Sequence, residues 1–335
     1  RIDMDLLPFY EADIKSGRIT KDEAFELISQ FLIIFDCHYD HDSKMIGYAD
    51  HELENTYVLG GCNKDGNPLF NDLTKMFLQA NTDEKIIFPK IKCRFSKNSP
   101  KEYLDMIDEP VIHGTSTILY QNDDATIPAL IRSGISEEDA KDYIVAGCWG
   151  LSTNCSVRKD DGNYVNILKT FEYEIHNRTD MMKKVGMHFN AIDDAVDFEE
   201  VYKITCDNIN TLFKERNRIT AIGGHMWEQV DPLPIFSSLF CDCIKNKRDF
   251  TNSGARYNDE CYKCVGFPNI VDSLLAIKTL CFDKKKYTLK EMLNAVRNNW
   301  SGYDEMRLDA IHCCGWGDGS KESCALAKRF NTDLY

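Results

Sequence analysis

A cysteine stands at position 148 in the run Asp142-Tyr-Ile-Val-Ala-Gly-Cys-Trp-Gly-Leu-Ser152. The residues from Tyr143 to Val145 read as a short buried strand, and Gly147 lets the backbone turn tightly just before the sulfur. A thiol presented at the carboxyl edge of a strand lies where α/β folds keep their sites. The competing reading is packing, because a cysteine after an apolar run fills a core as a small hydrophobe.

Other thiols have weaker claims. Cys241-x-Cys243 and Cys261-x-x-Cys264 have the spacing of a tetrahedral Cys₄ zinc site. Against it, Cys241 and Cys243 fall in a helical pattern, where residues two apart face different ways. The expectation is that these pairs bind no metal. Cys313-Cys314 is expected as exposed or half-buried thiols.

The elements that must position Cys148 are read from periodicity. Asp22 to Phe35 places Ala24, Leu27, Ile28, Phe31, Leu32 and Phe35 on one helical face, started by Thr20 with Glu23 three residues on. Helical spacing also marks 71–79, 163–177, 198–216, 232–246, 270–282 and 289–298, the last capped by Thr288 with Glu291. Between them, 56–59, 91–94, 115–120 and 143–145 are predicted strands, short and mostly bounded by Gly, Pro or Asn. This alternation predicts an α/β architecture with crossover helices, and the absence of repeats or linkers predicts one domain.

The chain has 335 residues, 43% of them hydrophobic, enough for a large core. Its net charge of −14, from 40 basic and 54 acidic residues, disfavours nucleic acid. No apolar window is long enough for a membrane helix, and residues 1–10 lack a signal-peptide layout. The 14 cysteines are therefore read as thiols of a reducing, anaerobic cytoplasm, not as a disulfide framework.

Upstream of Cys148, Leu119-Tyr-Gln-Asn-Asp-Asp-Ala-Thr-Ile-Pro-Ala-Leu runs on through Asp142-Tyr143 to Gly147-Cys148. This stretch resembles the glycyl radical enzymes of the pyruvate formate-lyase type. Pro8-Phe9-Tyr10, Gly17-Arg-Ile-Thr20, Leu59-Gly-Gly61 and Asn71-Asp72-Leu73 resemble earlier segments of the same family. Gly254-Ala-Arg-Tyr-Asn258, the run Asn269 to Lys278, Tyr287-Thr-Leu289 and Trp300-Ser-Gly-Tyr303 resemble later ones. The order is kept over nearly all of the chain.

The resemblance implies a ten-stranded α/β barrel with surrounding helices, present here only in part, as the central portion (1–335) of a single barrel domain. It implies Cys148 as the catalytic thiyl residue, with Trp149 and Gly150 beside the substrate. Tyr120, Thr117 and His113, on or beside a predicted strand, are candidates for substrate contact, against Tyr120 as a core aromatic with a tethered hydroxyl and His113 as a loop residue; read from their own chemistry, Asn122 and Asp123 cap the following helix. It implies no bound metal or cofactor, only a glycyl radical installed by an iron–sulfur activating enzyme that uses S-adenosylmethionine. The partners expected are that activating enzyme, a small organic substrate and a second copy of the chain.

Three departures qualify the resemblance. In the family's dehydratases, choline-cleaving lyase and arylacetate decarboxylases, the residue two after the radical cysteine is a glutamate acting as base; here it is Gly150. Pyruvate formate-lyase has two adjacent cysteines, whereas Cys148 is followed by Trp149. The family's Arg-Val-x-Gly-Tyr type motif is not found up to Tyr335 either, so a fragment is expected, the other readings being a radical domain on another polypeptide and a degenerate relative with no radical. The alternative is a catalytically inactive or metal-binding relative that keeps the barrel only.

Overall fold

The computed structural model describes residues 1–41, 56–146, 150–153, 157–224, 227–313 and 315–334. In chain order, the first elements are α1 (Ile2–Asp5), α2 (Leu7–Ser16), α3 (Lys21–His41), β1 (Thr56–Gly60), α4 (Asp72–Asp83), β2 (Lys90–Phe95), α5 (Lys101–Ile112) and β3 (Ile118–Asn122). Next come α6 (Asp123–Arg132), α7 (Glu137–Lys141), β4 (Tyr143–Ala146), β5 (Gly150–Thr153), β6 (Val157–Asn166), α8 (Ile167–Ile175), α9 (Thr179–Lys184) and α10 (Phe198–Gly224). The remainder are α11 (Trp227–Val230), α12 (Pro234–Ser238), α13 (Cys243–Asn246), β7 (Tyr257–Val265), α14 (Phe267–Ile277), α15 (Leu289–Arg297), α16 (Asp304–Ile311) and α17 (Lys321–Asp333). The α/β class predicted from the sequence is met.

Contacts divide the chain into two compact units, Arg1–Lys159 with Leu233–Asn258, and Asp160–Pro232 with Asp259–Tyr335. In the first unit β1, β2 and β3 form a parallel sheet in that order, and β4 pairs antiparallel with β5. A further two-stranded pair joins β6 and β7. Among the described residues the strands thus form one sheet of three and two pairs.

Side chains alternate across the parallel sheet. Tyr57 and Leu59 of β1, Ile91 and Cys93 of β2 and Ile118 of β3 bury against Leu73, Phe77 and Leu78 of α4 and Tyr103 and Ile107 of α5. Phe77 and Leu78 are almost fully buried, each such side chain contributing about 1.5–3 kcal/mol. The start of α4 is fixed by a reciprocal cap: Asn71 Oδ1 accepts from Thr74 N–H at 3.1 Å, and Thr74 Oγ1 accepts from Asn71 N–H at 3.2 Å.

The second unit is built on α8, α10, α14, α15 and α17. Ile167 and Phe171, Val201, Ile209 and Phe213, Ile270, Val271, Leu274 and Leu275, Leu293, and Phe330 form one buried cluster. A smaller cluster joins Leu280, Met292, Ala295 and Met306.

The predicted helix 163–177 is shorter than expected: β6 runs to Asn166, whose side chain then accepts from Lys169 N–H at 2.9 Å and starts α8. The predicted helix 232–246 is broken into α12 and α13, because Asp242 adopts a left-handed backbone (φ 73°). Helical phase therefore does not separate Cys241 from Cys243, contrary to the sequence argument. The predicted strand 115–120 starts later, because Thr115 N–H is used by the Pro110 carbonyl at the end of α5.

Candidate functional site

Gly147, Cys148 and Trp149 lie outside the described residues, and the structure describes the frame on either side of them. β4 ends at Ala146 and β5 begins at the buried Gly150, and these two residues are partners in the ladder. The register continues through Val145 with Leu151, Ile144 with Ser152 and Tyr143 with Thr153. The strand predicted at 143–145 is therefore present, and the cysteine follows it two residues on.

The frame is held at its base by charge. Arg94, on the central strand β2, is fully buried, and the Asp123 carboxylate that it meets at the start of α6 is buried too. Arg94 Nε donates to Asp123 Oδ1 at 3.0 Å and Nη2 to Oδ2 at 2.9 Å, a two-point contact suited to a planar fork. Nη1 donates to the Tyr143 carbonyl at 2.8 Å and Nη2 to the Lys141 carbonyl at 3.0 Å. One guanidinium thus ties the parallel sheet to both sides of the joint between α7 and β4.

Tyr143 closes the assembly. Its ring lies under the guanidinium, 3.8 Å from Cζ to the ring centre, and its hydroxyl donates to Asp123 Oδ1 at 2.6 Å. Burial holds the Tyr143 hydroxyl well above the ordinary tyrosine range, so it stays a donor. A buried guanidinium without such partners would be strongly unfavourable; here four of its five N–H donors meet oxygen acceptors.

Next to this assembly, Gly60 and Gly61 carry the chain past Arg94 in left-handed conformations, with φ of 70° and 89°. Asp3 is wholly buried behind them, its Oδ2 accepting from Gly60 N–H at 2.9 Å and Thr74 Oγ1 at 2.8 Å. Burial pushes the Asp3 carboxyl up. Cys62, also buried, lies 4.0 Å from Arg94 Nη2, and burial pushes its thiol up as well. A cavity of about 300 Å³ opens beside it, lined by Cys62, Lys64, Lys141 and Asp142.

The other expected site residues are placed elsewhere. Tyr120 points to the helix layer, its hydroxyl 2.8 Å from Asp108 Oδ1 and 3.2 Å from the Ile107 carbonyl, and its ring edge-on to Phe95. Thr117 is buried against α4, donating to Asn81 Oδ1 at 3.3 Å. His113 is exposed at the end of α5, its Nε2 paired with Glu109 at 3.0 Å. None of the three meets the frame around Arg94. The opposite face of the sheet carries Val58, Lys92, Arg94, Leu119 and Gln121 by strand alternation.

The sequence predicts that both Asn122 and Asp123 cap the helix. Asn122 does cap α6, accepting from Asp124 N–H at 2.9 Å, but Asp123 is the partner of Arg94. The missed signal was a charged residue inside a short, otherwise buried strand, which requires a partner. Among the described residues, no group of three His, Cys, Asp or Glu side chains is arranged to hold a metal ion.

The pattern of the pyruvate formate lyase-like family matches residues 1–335. The chain is 28% identical over 316 residues to (2S)-3-sulfopropanediol dehydratase of Klebsiella oxytoca, covering 91% of this chain and 38% of that protein. It is 28% identical over 314 residues to trans-4-hydroxy-L-proline dehydratase of Clostridioides difficile, covering 91% and 39%. The glycerol-bound B12-independent glycerol dehydratase of Clostridium butyricum superposes with a TM-score of 0.82 at 25% identity, over 100% of this chain and 42% of that one. The chain thus spans about two fifths of the length of these relatives.

Proposed function

Because the chain belongs to the pyruvate formate lyase-like family, we propose that it forms the cysteine-bearing part of a glycyl radical enzyme acting on a small organic substrate. In this reading the sheets described belong to a single ten-stranded α/β barrel. Its glycyl radical lies on a residue outside 1–335, and a separate S-adenosylmethionine-dependent iron–sulfur enzyme installs it. That radical supplies an unpaired electron by taking a hydrogen atom from the Cys148 thiol.

Cys148 then does the chemistry on substrate: its sulfur takes hydrogen from a substrate carbon and returns it at the end of the cycle. The requirement on the protein is proximity and dryness, which hold sulfur and carbon in contact and keep water and oxygen away. Tyr143, Val145 and Gly150 are buried, which suits an interior position for the segment they bracket. Trp149 and Gly150 would lie beside the substrate. The protein is read as an anaerobic cytoplasmic homodimer; among the described residues no helix is long and apolar enough to cross a membrane.

The observation that supports this most is the pairing of Ala146 with Gly150, which brackets Cys148 with a strand pair in a chain matched by the family throughout. The test is Cys148→Ser in the full-length protein, activated anaerobically. The radical signal by electron paramagnetic resonance should persist and turnover should vanish. Retained turnover would overturn the role of Cys148. A wild-type protein that accepts no radical from any activating enzyme would favour the inactive relative.

A further inference from the structure

We propose that the second unit holds a binding site for a small amphipathic monocarboxylate, its apolar body in the cavity between α14, α15 and α16 and its carboxylate on Arg307. The inference goes beyond the radical chemistry proposed above and does not depend on it. The cavity has a volume of about 430 Å³. Its wall is mostly apolar, formed by Ile175 of α8, Ala276 and Ile277 of α14, Met292 and Val296 of α15, and Ile311 of α16. That size and lining, with a few polar groups set into it, suit a small organic ligand.

Arg307 supplies an unused cation. It lines the cavity, and its guanidinium makes no hydrogen bond or ion pair among the described residues, Asp304 one turn before it included. Glu305 and Asp309, two residues to either side of it, face away from it and are both bound by Lys286. Asp309 also accepts from the Tyr287 hydroxyl. A cavity of about 520 Å³ between α4 and α5 gives the contrast, because its charges satisfy one another. There Lys101 pairs with Asp105 at 2.6 Å, and Glu109 with His113 at 3.0 Å.

The wall carries a second, independent mark. Trp300 lines the cavity with its backbone in the left-handed region at φ 61°, directly after Asn299 at 50°. A bulky residue rarely adopts that conformation, and such outliers gather at ligand sites. Trp300 N–H donates to the Ala295 carbonyl at 2.8 Å and its own carbonyl accepts from Tyr303 N–H at 2.9 Å, so the turn holds it there. Asp272 sets the charge of the ligand. It lines the cavity without pairing to Arg307, its Oδ1 accepting from Trp316 N–H at 2.6 Å. A second negative charge on the ligand would meet this carboxylate, which favours a monocarboxylate over a dicarboxylate or a dianionic phosphate. The arginine fork matches a carboxylate at two points.

The experiment titrates the full-length protein, without radical activation, with octanoate, suberate and 1-octanol by calorimetry. Octanoate should bind at a single site per chain. Arg307→Gln should weaken octanoate by about threefold to tenfold and leave 1-octanol unchanged, which also shows that the cavity is intact in the variant. Suberate, which carries a second carboxylate, should bind at least about threefold more weakly than octanoate. Octanoate should change the tryptophan fluorescence of the wild type, and Trp300→Phe should abolish that change.

Absence of octanoate binding, as when the rest of the protein fills the cavity, would overturn the proposal. Equal octanoate affinity in Arg307→Gln would overturn it too, since that is adsorption to exposed apolar surface. So would a fluorescence change that survives in Trp300→Phe, or suberate binding as tightly as octanoate. The titration needs no radical. A Cys148→Ser protein that kept turnover would sink the proposed function and leave the octanoate result standing.

Discussion

Gly61 stands where no side chain fits beside Arg94: a Cβ built on it would lie 2.7 Å from the guanidinium carbon, at a backbone φ of 89°. Gly66 has a similar φ of 86°, with nothing within 4 Å of its would-be Cβ. The two glycines separate backbone strain from collision.

Gly66→Ala should therefore cost about 1 kcal/mol, the strain of a left-handed alanine alone. Gly61→Ala should cost clearly more, because the Arg94 fork must shift off its acceptors. Urea unfolding of both variants checks this, and equal losses would show that the fork accommodates a methyl group freely.

Removing the carboxylate of Asp123 leaves Arg94 buried without its charge partner. Asp123→Ala should lose about 3–5 kcal/mol. The double replacement Arg94→Met with Asp123→Leu should lose much less, because no uncompensated charge remains. If the single and double variants unfold at the same urea concentration, the pair is not coupled as the distances indicate.

The sequence was legible where residue chemistry is local. The caps Thr20 and Thr288 are both observed, each accepting from the N–H of the glutamate three residues on at 3.2 Å. β1, β2 and β4 lie within a residue of their predicted ends, since each is a short apolar run. β6, in the sequence Val-Arg-Lys-Asp-Asp-Gly-Asn-Tyr-Val-Asn, has no apolar alternation to reveal it. The Arg94 assembly was illegible for another reason. Its partners stand 29 and 49 residues away, and Asp123 looks like an ordinary first-turn acid.

Thr288 gives a local test of that legibility. Its hydroxyl accepts from Glu291 N–H, and Glu291 Oε2 accepts in return from Thr288 N–H at 2.8 Å. Thr288→Ala should cost about 0.5–2 kcal/mol. Thr288→Ser should recover most of it, which thermal unfolding can read directly.

Glu174 on α8 is fully buried, with Oε2 accepting from Thr205 Oγ1 of α10 at 2.9 Å. Burial pushes its carboxyl up to about 8. Between the ordinary carboxyl range and pH 8 the folded state holds a proton that the unfolded state has released. Stability contributed by this group is present at low pH and declines as pH rises toward 8, by at most about 1.4 kcal/mol per pH unit. Glu174→Gln cannot ionise, so its melting temperature relative to wild type should rise from pH 5 to pH 8. A constant difference across that range would show that Glu174 does not carry the effect.

Gly150 bears on the reaction itself. The resemblance implies a glutamate at this position in dehydratases, where it would deprotonate a hydroxyl beside the substrate radical, an effect of about 10²–10⁴-fold for a positioned base. Gly150 is buried at the first pair of the β4–β5 ladder and offers no group to take a proton. Chemistry needing no base there, such as radical addition to an alkene or cleavage of a carbon–carbon bond, tolerates the loss better. The activated full-length enzyme should therefore dehydrate glycerol, propanediol and hydroxyproline at least about a hundredfold more slowly than enzymes carrying the glutamate. Anaerobic assays with each substrate decide it: dehydration at comparable rates would mean that another side chain supplies the base.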